Sequence, residues 1–325
     1  MATYKGIQGY SVQKLSEDPP AAQSAGQLWY NSASGAFKIS VAGAGAWASG
    51  GNVNHGRSGP GATLNATVPT ALIFSGEGTP TVTLDTEQYD GTSRTEVNNM
   101  NTAGQGRAGA GINTAGLAFS GLPSTANTET YNGTSWAETN NLNTARYGAR
   151  GAGTSTGALC FAGTTGGADR KTLTATWDGT SWTETNNLNT ARTDPGGLGT
   201  TNTSSMCMGG NTSPGANFTA NSETWNGTSW AEGNNILVAK QNQGASGTTT
   251  AGLMYGGNTP SDLATTESYD GTSWTEIGDM GSAKSAFGAC GVTTASAIAA
   301  AGNGKLTSTE EYADPAYTIK TVTIS

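Results

Sequence analysis

The sequence predicts an all-β fold, a six-bladed β-propeller of four-stranded blades with an N-terminal β-hairpin arm. Three observations lead there. The stretch Glu129–Arg146, E-T-Y-N-G-T-S-W-A-E-T-N-N-L-N-T-A-R, returns almost letter for letter at Ala175–Arg192. The aromatic before each turn, Tyr89, Tyr131, Trp177, Trp225, Tyr269 and Tyr312, recurs at spacings of 42, 46, 48, 44 and 43 residues by subtraction. Turn-rich, β-rich periods of roughly 40 to 50 residues are those of propeller blades. An apolar run ending in Gly occurs six times, which sets the number of blades.

Residues 1–41 stand outside the repeat. There Leu28, Trp29, Tyr30, Phe37 and Ile39 form a hairpin pattern around Asn31–Gly35, with more apolar surface than so small a unit can bury alone. This arm is expected to dock on a partner. Residues 42–315 carry the blades, whose strands are lettered a to d from the centre outward. Strand a follows a basic residue at Arg57, Arg107, Arg146, Arg192, Lys240 and Lys284 and is almost all Gly, Ala, Ser and Thr, sizes that suit a crowded centre. Strand b is the apolar run: Leu72–Gly76, Leu117–Gly121, Leu159–Gly163, Met206–Gly210, Leu253–Gly257 and Ile298–Gly302. Apolar on both faces, it is expected to lie between neighbouring blades.

Strands c and d form a hairpin around Tyr/Trp-Asp/Asn-Gly-Thr-Ser-Trp, in which Gly supplies the positive φ of a tight turn. The second aromatic is Trp136, Trp182, Trp230 and Trp274, with Arg94 in its place in the first blade. A spare copy, Trp47, precedes the first blade, while the sixth has a c strand at Thr309–Tyr312 and no Trp strand after it. The ring is therefore expected to close by pairing Trp47 with the sixth blade, which removes the exposed sheet edges. The alternative closing strand lies in residues 316–325, a C-terminal strand or tail in which Ile319, Val322 and Ile324 look strand-like.

Gly and Pro together make 59 of 325 residues, 18%, below the roughly 25–30% at which composition suggests disorder. A net charge of −8 argues against nucleic acid or an anionic membrane as partner, since both need a basic patch. No segment approaches the roughly 18 apolar residues of a span, and the start does not resemble a signal peptide. A protein made soluble without export, with no membrane insertion, is expected. Cys160 and Cys207 occupy one position in neighbouring blades, so the three thiols read as buried and free.

A doubled Gly after an apolar strand, a Glu two before an aromatic, a Trp about five further on and an Arg opening the next unit together resemble the kelch repeat, over residues 46–313. Several blades have one Gly where kelch has two, and the linker N-L-N-T-A-R and the loop D-G-T-S depart from it. The resemblance implies a kelch-like propeller in which the Glu pairs with the basic residue opening the blade: Arg107 with Glu129, Arg192 with Glu223, Lys284 with Glu310. Ala175 stands where the third blade's Glu would be, which leaves Arg146 to backbone carbonyls. The segment Met1–Val41, with A-G-Q-L-W-Y-N-S-A-S-G-A-F-K-I, is similar to N-terminal modules of predicted structural proteins of marine bacteriophages.

A catalytic residue is needed once, whereas a structural one recurs in every blade. By that test the repeated acids, Glu87, Glu129, Glu223, Glu267, Glu310 and the set after the Trp position, are structural. The single histidine, His55, takes the slot of Thr144 and Thr190, a linker position. Gly104–Gly109 satisfies G-x-G-x-x-G by chance, with no helix to follow. No cofactor and no metal is expected. The connections between strands b and c vary most, and all should emerge on one face, where a propeller holds partners. Asp169, Arg170, Lys171, Phe218, Asp262 and Lys305 are their least repeat-like residues.

Together these features lead to the expectation of a non-enzymatic structural or adhesive virion protein, in a tail, tail fibre or head decoration. It would bind other virion proteins through residues 1–41. A lectin-like propeller that binds a host surface glycan is the alternative, and a glycan-cleaving enzyme follows behind it.

Overall fold

The structure, a computed structural model, describes residues 12–21, 23–24, 26–42, 45–314 and 317–323. Its residues group into two compact units: Ala46–Ala313, and a second drawn from Met1–Gly45 and Asp314–Ser325. The fold is all-β and propeller-like, with seven four-stranded sheets.

Six of these sheets make up Ala46–Ala313. Strands a to d of the first five are Gly61–Ala62, Leu72–Phe74, Thr86–Tyr89, Arg94–Val97; Ala108–Ile112, Ala115–Phe119, Thr128–Tyr131, Trp136–Thr139; Arg150–Thr154, Gly157–Phe161, Thr174–Trp177, Trp182–Thr185; Gly196–Thr201, Ser204–Met208, Ser222–Trp225, Trp230–Gly233; and Gly244–Thr248, Ala251–Tyr255, Thr266–Tyr269, Trp274–Ile277. The sixth joins Gly288–Thr293, Ser296–Ala300 and Thr309–Ala313 to Ala46–Gly50. The spare-Trp expectation is met here, since Tyr312 lies directly opposite Trp47, 5.5 Å between ring centroids. The a strands touch their neighbours in a cycle, first to sixth and back to first.

Each letter of the repeat has a physical task. The d-strand Trp donates to a c-strand Thr of the preceding sheet: Trp136 to Thr86 Oγ1 at 3.0 Å, Trp182 to Thr128 at 3.0 Å, Trp230 to Thr174 at 2.9 Å and Trp47 to Thr266 at 2.9 Å. Its ring also packs on a b-strand aromatic of that sheet, as Phe74–Trp136, Phe119–Trp182 and Phe161–Trp230 do at 4.8–5.2 Å. Where Ser222 replaces Thr, Trp274 donates instead to the Asn234 carbonyl. After strand d, Asn98, Asn140 and Asn186 each donate to a turn carbonyl of the next sheet, at Thr134, Thr180 and Thr228. The b strands are buried between sheets, as their two apolar faces require, and Cys160, Cys207 and Cys290 are buried free thiols.

The charged pairs correct one assignment. Arg192 pairs with Glu223 at 2.6 Å and Lys284 with Glu310 at 3.2 Å, as expected; Arg57 also meets Glu87, and Lys240 meets Glu267 at 3.0 Å. Each Glu also accepts backbone N–H groups of the linker, for example Asn189 and Thr190 at Glu223. Arg107 and Glu129 are not an ion pair. The residue aligned with the basic position in the second sheet is Gly104, and Arg107 lies three further on, aligned with Pro60, Ala149, Pro195, Gln243 and Phe287. Its guanidinium folds back to the Thr102 carbonyl at 2.9 Å. Arg146, without a carboxylate, donates to the Cys160 carbonyl at 3.3 Å.

The other unit is a sheet in the order Gln13–Leu15, Leu28–Asn31, Ala36–Ala42, Tyr317–Thr321. The C-terminal strand pairs here, Ile319 opposite Ser40, and takes no part in closing the sixth sheet. Ile324 lies outside the described residues.

Candidate functional site

Three surfaces depart from the repeat. The first is the throat where the a strands begin. Gly59, Gly106, Gly148, Asp194, Asn242 and Ala286 occupy equivalent positions, all with φ between 50° and 62°. Five of the six steps around them carry a backbone N–H to carbonyl bond: Gly59 to Ala286, Gly106 to Gly59, Asp194 to Gly148, Asn242 to Asp194 and Ala286 to Asn242, at 2.7–3.0 Å. The left-handed backbone turns each N–H along the circle rather than into its own sheet, so the belt ties sheets together. Within this belt Asp194 brings the one carboxylate among the throat's lining residues, and Arg150 lies below it in the wall. Five equivalents of Arg150 are Gly61, Ala108, Gly196, Gly244 and Gly288.

No ion pair within 4.0 Å joins Arg150 to Asp194. Thr193 Oγ1 donates to Asp194 Oδ2 at 3.2 Å, and Arg150 Nη1 reaches only its neighbour's carbonyl at 3.4 Å. Burial raises the Asp194 carboxyl above its ordinary value, with Arg150 pulling the other way. Burial likewise lowers the Arg150 guanidinium, opposed by Asp194. Sequence reading passed over both residues, although the signal was there: each replaces a small residue at a position where the repeat demands one.

The second surface is formed by the b–c connections. They lie on the throat side, because the residue after the basic position bridges to the start of each loop, as in Ser58–Glu77, Tyr147–Thr164 and Thr193–Asn211. Most of the candidates there are engaged with their own surroundings. Asp169 meets Lys171 Nζ at 2.6 Å and accepts from Thr165 at 2.8 Å, contacts that hold its carboxyl below the ordinary range, the Lys171 bond foremost. Arg170 donates to the Gly167 carbonyl at 3.0 Å. Phe218 is half-buried and bridged to Asn211. Asp262 accepts from Ser285 Oγ at 2.7 Å and so staples the fifth connection to the sixth sheet. Lys305 reaches Glu77 at 3.4 Å and lines a polar groove with His55, Asp85 and Asn99. His55 Nδ1 lies 3.1 Å from Asp85 and 3.5 Å from Glu96. The loop candidates are thus spread over the face; only Lys305 joins such a cluster.

The third surface is on the N-terminal sheet. Trp29 is 2% exposed and its Nε1 donates to Asp18 Oδ1 at 3.0 Å, beside Asn31 Nδ2 at 2.6 Å. It is a core residue of its own unit. On the opposite face Leu28 lies across from Ile39 and Tyr30 across from Phe37, the last two rings edge-on at 5.2 Å. Leu28 and Phe37 are 37% and 40% exposed.

Among the described residues no cluster of three or more His, Cys, Asp or Glu is placed to hold a metal, and no helix is long and apolar enough to cross a membrane. Comparison with models of protein families and with curated proteins finds no match.

Proposed function

We propose that Ala46–Ala313 is a six-bladed kelch-like propeller, and that the chain is a non-enzymatic structural or adhesive component of a bacteriophage particle. Residues 1–41, with the strand Tyr317–Thr321, attach it to other virion proteins. The single observation carrying the docking role is the apolar face of Leu28, Tyr30, Phe37 and Ile39, whose two most exposed members are 37% and 40% accessible. An exposed apolar face of this kind marks an interaction site. The virion assignment rests on the resemblance of Met1–Val41 to phage modules. The cyclic contact of the six a strands supports the blade number.

Its test is the double substitution Leu28→Asp with Phe37→Asp, both on exposed sites. Particles assembled with this variant should lack the chain while its thermal unfolding stays unchanged. Normal incorporation would overturn the docking role.

A lectin-like reading draws on the groove of His55, Asp85, Asn99 and Lys305, which offers donors and acceptors on the loop side. Binding of the isolated chain to host-surface glycans, lost in Asn99→Ala, would favour it. Glycan cleavage is the weaker reading, since glycosidases use a pair of carboxylates and the throat's lining offers Asp194.

A further inference from the structure

Repeat proteins tolerate drift on loops, but the throat is where six a strands converge and where five of six sheets keep Gly or Ala at the Arg150 position. A guanidinium there and a carboxylate at Asp194 arise from consecutive sheets and face one cavity. Opposite charges so placed would gain by direct contact, yet they are not an ion pair. The side chains instead keep most of their polar capacity unspent: Arg150 makes one long bond to a carbonyl, and Asp194 one bond to Thr193. Gln243 Oε1, in the same lining, is buried without a partner. Partly buried charges with so few hydrogen bonds cost stability, and nothing in the sheet hydrogen bonding requires them.

We propose that the throat binds a small zwitterion, a free α-amino acid, whose carboxylate is held by Arg150 and whose ammonium is held by Asp194. Arg107 also lines the throat, but its guanidinium is turned back to the Thr102 carbonyl; the remaining opposed pair, kept apart, matches a ligand that carries both signs a few atoms apart. Charge-assisted hydrogen bonds supply the affinity. Gln243 Oε1 gives the ammonium a second acceptor. Burial, which disfavours both charged side chains, works in the ligand's favour, because a bound zwitterion returns a counter-charge to each. Arg170, on the connection above, adds a weaker positive influence on Asp194. It predicts that the carboxylate end enters with some help from that side.

The test is a titration of the intact, isotope-labelled chain with glycine, followed by amide chemical shifts. Acetate and methylammonium serve as half-ligands. Glycine should move the amides of Gly148, Asp194, Asn242 and Ala286, and each half-ligand should bind at least about tenfold more weakly. Arg150→Ala and Asp194→Asn place at these positions the residues found at Ala108 and Asn242, so both variants should fold, and each should weaken glycine by about tenfold or more. Acetate binding as well as glycine would replace the proposal with a simple anion site. Absence of throat shifts at saturating glycine, or unchanged binding in both variants, would overturn it.

Discussion

The guanidinium of Arg107 occupies the space that a side chain on Gly104 would need: a Cβ built on Gly104 comes within 2.6 Å of Arg107 Nε. The second sheet thus fills the basic site of its neighbours from three residues downstream. Arg107 keeps, at Thr102, the carbonyl contact that Arg57 makes at His55 and Arg192 at Thr190, but leaves Nε and Nη1 without partners. Glu129 makes do with the backbone N–H groups of Asn101 and Thr102 and with Asn101 Nδ2, at 2.8–3.1 Å.

The two positions should therefore be coupled. Gly104→Lys alone forces Lys and Arg107 into one space and should destabilise the fold, while Gly104→Lys with Arg107→Gln restores the arrangement of Lys240 and Gln243. A double-mutant cycle by denaturant unfolding should give a coupling of about 1–3 kcal/mol in favour of the pair. Additive effects would show that Arg107 does not fill the site of Gly104.

The junction of the sixth sheet with the first, like that of the fourth with the fifth, lacks the Trp–Thr lock of the other four, and it alone has no Trp in strand d. Arg94 takes the Trp position at 7% exposure, stacks on Tyr89 at 4.8 Å and donates to the Gly51 carbonyl at 3.3 Å. Its Nη1 and Nη2 are buried without partners, and so is Thr309 Oγ1, the acceptor that the lock would use. Arg94→Trp should pair with Thr309 and stabilise the chain by about 1–2 kcal/mol, since unsatisfied buried groups cost about that much each. A fall in thermal stability would mean that the Tyr89 stacking outweighs the missing lock.

Loss of one partner from a buried pair is costlier than any surface change. Glu223→Ala strands Arg192, both side chains being 0% exposed, and removes the acceptor of the Asn189 and Thr190 N–H groups; about 3–5 kcal/mol should be lost. The converse experiment is Ala175→Glu, which offers Arg146 the carboxylate its sheet lacks and should be stabilising by about 1–2 kcal/mol. If Glu223→Ala unfolds at the same denaturant concentration as the parent chain, the pairs are not structural.

The repeat made the sheets, the pairing of the Trp47 strand with the sixth sheet and most of the charge pairs legible, because each depends on a residue type that recurs at a fixed offset. Arg107 was misplaced for the same reason. Residue type alone points to Arg107, the Arg near the expected offset, whereas the left-handed turn at Gly106 fixes the true register and aligns Gly104 with Arg146 and Arg192. Trp29 was read as a docking residue because period-two alternation cannot say which face of a lone hairpin is covered; Asp18 decides that, from a segment with no pattern of its own. Arg150 and Asp194 are masked by the loop letters, where departures from the repeat are cheap, although in and before strand a, where the repeat keeps mostly Gly or Ala, a departure is expensive.

Asp194 gives the throat a pH signature. Its carboxyl is raised above the ordinary value of 3.8, chiefly by burial. A raised folded-state value means the folded chain binds the proton more tightly than the unfolded chain, so stability slopes downward as pH rises between the two values. The strain is absent below 3.8, grows as pH rises towards the folded value, and is complete above it. Asp194→Asn, which keeps a residue able to adopt the left-handed backbone of Asn242, should therefore stabilise the chain at pH 7 and lose that advantage on acidification below the ordinary Asp value. Unfolding midpoints of parent and variant across that range measure it. A constant difference between them would assign the gain to the backbone rather than to the buried charge, and an advantage that grows on acidification would reverse the sign of the shift.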